Sequence, residues 1–182
     1  MTIWQNADGL SVKFGRGEQD LVAGKEFADL RNGTHVIEFV IDYRDALSAT
    51  AAILGSSTVW GGDSLGVLVP EGAVVEELEL RAQTAFTSSG TIGSSTLVIG
   101  TKKLSDRSTE LDHDGLTTTS FVMGVLDATA ETVVVRPGVT GAGDDYGVAF
   151  TEPGVIVVAN SAHASHPFTA GKARARLYYR FQ

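Results

Sequence analysis

Four histidines, at positions 35, 113, 163 and 166, are the residues of this 182-residue chain best suited to acid–base or metal chemistry. His163 and His166 stand three apart in Ser-Ala-His-Ala-Ser-His-Pro. That spacing brings two imidazoles onto one ion only on a helix, and the composition of the segment is that of a polar loop. Asp112-His113-Asp114-Gly115 looks like the start of a calcium loop, in which alternating carboxylates converge and a glycine permits the sharp turn. The stretch that follows, Thr117 to Phe121, supplies no bidentate Glu, so a turn carrying acidic residues is expected there. Gly138–Gly143 is glycine-rich but lacks the Lys-Ser/Thr ending and following helix of a phosphate cradle. Glu76, Glu77 and Glu79 could serve as paired carboxylates, yet they sit in an alternating run that reads as a charged sheet face.

Composition narrows the classes further. There is no cysteine, which removes disulfides, thiolate metal sites and cysteine nucleophiles. The formal net charge of −8 argues against a nucleic-acid partner, because phosphate neutralisation needs a basic surface. No stretch approaches the roughly 20 apolar residues of a membrane span. The opening MTIWQNADG has neither the basic nor the apolar region of a signal peptide. With 43% hydrophobic residues, one sizeable core is within reach.

The elements that must position these residues are short and β-type: 36–41, 65–69, 74–82, 96–99, 121–126, 132–136, 146–150, 155–159 and 172–181. Turn-forming pieces such as Pro70-Glu71-Gly72, Arg136-Pro137-Gly138 and Glu152-Pro153-Gly154 separate them. The expectation is an all-β protein with two packed antiparallel sheets. Asp45–Leu54 is the single helix candidate, its alanines favouring helix and its Ser and Thr opposing it. Residues 1–33 show no sustained alternation and read as an extended N-terminal arm ahead of a domain over 34–182, with Trp4, Phe14 and Phe27 as candidate anchoring aromatics.

The last run is the most regular. Ala173, Ala175, Leu177, Tyr179 and Phe181 alternate with Lys172, Arg174, Arg176, Tyr178 and Arg180, so one face of a strand is apolar and the other basic. Two readings of the basic face stand together: its arginines pair with acids such as Glu77 and Glu79 on a neighbouring strand, or they meet an acidic partner across an interface.

Three segments resemble a known family, the structural proteins that decorate or cement the capsids of tailed, particularly short-tailed, phages. They are Ile3-Trp4-Gln5-Asn6-Ala7-Asp8-Gly9-Leu10 continuing to Val12-Lys13-Phe14-Gly15, the segment from Ser108 to Leu116, and Phe168-Thr169-Ala170-Gly171-Lys172 running into Leu177-Tyr178-Tyr179-Arg180. The resemblance implies a jelly-roll-like antiparallel β-sandwich, often trimeric, made in the host cytoplasm and carried on the capsid surface of the virion. It implies the major capsid protein as partner, with no cofactor and no catalytic residues. Contact residues on this reading are Trp4, Phe14, Phe27, Lys172, Arg174, Arg176, Tyr178 and Arg180. An alternative is a head-fibre, tail or host-recognition module that binds carbohydrate, for which the Trp60-Gly61-Gly62-Asp63 turn is the best stacking candidate. A third is a small cupin-type isomerase using His163.

Overall fold

The computed structural model describes residues 2–5, 11–14, 25–29, 33–46, 67–105, 110–118, 121, 124, 126–139, 141–160, 162 and 165–181. They form two antiparallel sheets packed face to face and a separate hairpin. The larger sheet has the order β3 (Lys25–Asp29), β4 (Thr34–Asp42), β11 (Phe168–Phe181), β6 (Ala73–Ser88), β9 (Thr132–Val135). The smaller has the order β5 (Leu68–Val69), β10 (Gly154–Ala159), β7 (Val98–Lys103), β8 (Glu110–Thr117). β1 (Thr2–Gln5) and β2 (Ser11–Phe14) pair with each other.

β11 is the axis of the larger sheet, bonded to β4 on one side and β6 on the other. Its alternation places Ala173, Ala175, Leu177 and Tyr179 inside, all fully buried. The register builds rows across the sheet: Ile41–Ala173–Ala82, Phe39–Ala175–Leu80 and Ile37–Leu177–Leu78–Val135. Small alanines on the central strand leave room for Phe39 and Leu80 on its neighbours, all of them buried. The opposing wall comes from Ile99 on β7, Leu116 on β8, and Ile156 and Val158 on β10.

β10 is buried along its whole length. Ile156 and Val158 face the main core, while Val157 joins Val98 and Ala159 in a second buried cluster on the opposite side. A continuous apolar run, rather than alternation, suits a strand covered on both faces. Beside it, β7 and β8 pair irregularly, with register shifts on either side of Thr101. The buried Thr117 hydroxyl spans the irregularity, accepting from the Ile99 N–H at 2.7 Å and donating to the Leu97 carbonyl at 2.9 Å.

Counting from β4, the pairing is nested: β4 with β11, β5 with β10, β6 with β9, and β7 with β8, each antiparallel.

Three segments, 112–115, 121–126 and 146–150, differ from the sequence expectation. Asp112-His113-Asp114-Gly115 is not a turn but the middle of β8, with Asp112 paired to Thr101 of β7, in spite of residues that disfavour strands. The described residues of 121–126 form no strand; Phe121 and Leu126 are buried from a loop whose carbonyls accept the Leu97 and Phe86 N–H groups. Residues 146–150 make only isolated bridges to Val75 and Val74, interrupted by Gly147 at φ 78°. Of the helix candidate, a 3-10 turn at Tyr43–Ala46 overlaps its start, and residues 47–54 lie outside the described ones. Within 1–33, β3 pairs with β4 as the edge of the larger sheet.

Candidate contact surface and acidic cluster

The outer face of the larger sheet carries the basic residues of β11, and the register decides what each of them meets. In one row, Arg176 lies between Glu38 of β4 and Glu79 of β6. Its Nε donates to Glu38 Oε2 at 2.9 Å, and its Nη1 stands 3.9 Å from Glu79 Oε1. The bond to Glu38 raises the Arg176 pKa above its ordinary value. The next row reads Val40–Arg174–Arg81–Thr132, with no acid in it, so Arg174 reaches diagonally to Glu38 at 3.9 Å. Beyond it, exposed Lys172 lies opposite Asp42 and Thr84.

Toward the other end, Tyr178 is opposite Glu77 and its hydroxyl donates to Glu79 Oε2 at 3.3 Å. Burial, followed by the Glu79 charge, raises the Tyr178 pKa. The bulge between Tyr178 and Tyr179 brings Glu76 out to meet Arg180 Nε at 2.9 Å. Pairing with acids of neighbouring strands therefore describes Arg176 and Arg180 well and Arg174 poorly. Partly exposed pairs of this kind contribute no more than about 1 kcal/mol each. Glu38 and Arg81 have no role in the sequence reading, although Arg81 shares the parity of Glu77 and Glu79 in the run expected over 74–82.

Trp4, Phe14 and Phe27 lie in β1, β2 and β3, at positions facing Val12, Thr2 and Val36 in the register. Phe27 falls in one cross-strand row with Val36 of β4 and Tyr178 of β11, while β1 and β2, which carry Trp4 and Phe14, pair with each other as a separate two-stranded sheet.

A second grouping of charge was not foreseen. Asp112 and Asp114 of β8 meet Asp144 and Asp145 from the loop that crosses them. Burial pushes the Asp145 carboxyl up to about 7, reinforced by the charges of Asp112, Asp144 and Asp114. Its Oδ2 is buried without a hydrogen-bond partner, packed where a side chain on Gly115 would stand. Asp112 is pushed up to about 6, again chiefly by burial, with Asp144 adding to the shift and the Asp114 N–H at 3.1 Å opposing it. Among the described residues, no three His, Cys, Asp or Glu side chains stand in metal-binding geometry.

Both carboxyls hold a proton more tightly folded than unfolded, so stability falls as pH rises from about 4 through 7 and levels off above. Thermal unfolding is expected at higher temperature at pH 5 than at pH 8. Asp145→Asn is expected to flatten that profile and to raise stability at pH 8 by on the order of 1 kcal/mol, because the amide carries no charge to be desolvated or to be repelled by Asp112, Asp144 and Asp114. An unchanged profile in the variant contradicts the assignment.

The histidines divide. His166 is an anchor: its Nδ1 accepts the Thr91 N–H at 3.2 Å, and its carbonyl accepts from Ser95 Oγ and Asn160 Nδ2, both at 3.0 Å. His35 stacks on Tyr179 with ring centroids 5.1 Å apart. His163 and Trp60 lie outside the described residues. So does Gly62-Asp63-Ser64-Leu65-Gly66, which matches the Gly-x-Ser-x-Gly pattern. A nucleophile elbow needs a helix directly after it, and here the chain enters β5 at Leu68.

No helix among the described residues is long and apolar enough to cross a membrane. No family model matches the chain, no curated protein matches it in sequence, and no solved structure matches it in fold. What is defined is the class, an all-β sandwich.

Proposed function

We propose that this sandwich is a jelly roll and that the protein decorates and cements a phage capsid, acting through protein–protein contacts and not through catalysis. The observation that carries the reading is the nested pairing of β4 through β11, which gives the orders β4-β11-β6-β9 and β5-β10-β7-β8. That is a long antiparallel hairpin rolled into two sheets, the arrangement of the jelly rolls found in viral capsid proteins, lectins and cupins. The family likeness of the N-terminal, central and C-terminal segments selects the capsid role from among these. A sandwich whose central strand carries a wide polar outer face suits a protein that must bridge neighbours without deforming. Trimers of such a unit would multiply weak contacts with the major capsid protein into lasting attachment.

The test is electron cryomicroscopy of particles purified from cells producing the tagged chain. The expected result is density on the outer shell at fixed stoichiometry to the major capsid protein. Density confined to a tail or fibre, or protein that never travels with particles, overturns the reading.

A further inference from the structure

On the outer face of the larger sheet, two arginines stand directly opposite one another. Arg81 and Arg174 are register partners on β6 and β11. Directly opposed side chains on neighbouring strands have Cβ atoms roughly 5 Å apart, and like charges so placed repel. The neighbouring row shows how this sheet otherwise manages charge, with Arg176 placed between Glu38 and Glu79. The row of Arg81 and Arg174 has Val40 and Thr132 at those positions instead. Glu38 is already engaged at 2.9 Å by Arg176 and reaches Arg174 only at 3.9 Å.

Arg81 and Arg174 also line an open concavity together with Ala82, Gln83, Thr129 and Ala130. Its wall is fixed. The turn from Ala128 to Glu131 is tied to Ala82 by two backbone bonds, Ala130 N–H to the Ala82 carbonyl at 2.9 Å and Ala82 N–H to the Glu131 carbonyl at 2.8 Å. Ala130 adopts φ 72° to make that turn, a left-handed conformation costly for alanine. Glu131, which follows Ala130, accepts the Ala128 N–H on its Oε2 at 3.2 Å.

We propose that Arg81 and Arg174 form a docking cleft for a carboxylate of an acidic protein segment. An anion between them removes the repulsion that the bare face carries, and the planar fork of each guanidinium matches a carboxylate bidentately. A protein carboxylate is favoured over a polyanion by the surroundings. Glu38, Glu79 and Glu77 lie within the next rows, and the chain as a whole is at −8, so a nucleic-acid backbone meets repulsion where a lone Asp or Glu does not. The cleft stands apart from the capsid role: peptide binding examines the cleft, and particle imaging examines the role.

The experiment is calorimetric titration of the full chain with a capped Glu-Ser-Glu-Ser peptide, its Gln-Ser-Gln-Ser counterpart and inorganic phosphate. The Glu peptide is expected to bind, more weakly as salt is added, and to lose about tenfold or more in affinity in Arg81→Gln and again in Arg174→Gln, the loss of one hydrogen-bonded charge contact. Arg136→Gln, an exposed arginine just beyond β9, is expected to leave binding unchanged. Neither cleft variant should melt earlier than the parent, since each removes a like-charge contact. Equal binding by the variants, equal binding of the Gln peptide, or binding of phosphate alone each overturns the proposal. So does a concentration-dependent dimer abolished by Arg81→Gln, which would assign the cleft to a second copy of the chain.

Discussion

Gly171→Val is expected to lower the melting temperature by on the order of 10 °C. Gly171 sits in β11 between two register shifts, at φ 142°, a conformation that residues with a Cβ rarely adopt. A Cβ there would fall onto the ring of Phe86, which is 1% exposed. The ring has nowhere to retreat: its edge packs on Phe168 at 5.4 Å, and its backbone N–H is bonded to the Leu126 carbonyl at 3.0 Å. Positive φ costs about 1–2 kcal/mol and overpacking about 1–3 kcal/mol. At roughly 2–4 °C per kcal/mol for a domain of this size, the sum is readily measured by calorimetry. Adding Phe86→Leu to Gly171→Val should recover part of the loss. A Gly171→Val protein that melts with the parent would mean that the strand does not carry this bulge.

Phe39→Ala is expected to cost about 3–5 kcal/mol, the upper range for large-to-small changes in a core. Phe39 is 1% exposed and spans the row in which Ala175 is its neighbour and Leu80 lies beyond. Because the central strand contributes only a methyl group there, no adjacent β11 side chain is long enough to fill the space. The cavity therefore persists, and its lining loses contacts outright. Val134→Ala on the outer face, where Val134 is 38% exposed, should shift stability by no more than about 0.5 kcal/mol. Chemical denaturation separates the two; similar losses would place Phe39 outside the core.

The parts of the fold legible in the sequence are those where burial and local propensity agree. β11 was readable because one face meets the core and the other meets water, so the two-residue period survives over ten positions of alternating type. β10 was readable as an unbroken apolar run because both of its faces are covered. β8 is not, because Asp112, Asp114 and Gly115 are turn formers by local preference, and their extended conformation depends on partners distant in sequence, Thr101 of β7 opposite Asp112 and the Asp145 N–H on the Gly115 carbonyl. The opposite error arose at Phe121 and Leu126, where apolar residues fill the core from a loop and imitate a strand. β6 runs to Ser88, six residues past the expected end at Ala82, since Gln83, Thr84 and Thr87 are exposed and break the apolar signal without breaking the ladder.

The contact surface was half legible. Alternation placed Lys172, Arg174, Arg176, Tyr178 and Arg180 on one face, but which cation has an acid beside it depends on cross-strand register and on one bulge. A single chain read in isolation carries neither. The same limit hid the carboxylates of β8 and the crossing loop, which are some thirty residues apart in sequence.

The nested pairing has a bearing on how the protein is made. β4 and β6 do not bond to each other; both wait for β11, which the ribosome delivers well over a hundred residues after β4. Until that strand emerges, the nascent larger sheet is a pair of separated flanks with their inward side chains unprotected. Closure of this sheet therefore waits for β11, and the high sequence separation between β4 and β11 is of the kind that slows folding to the millisecond-to-second scale.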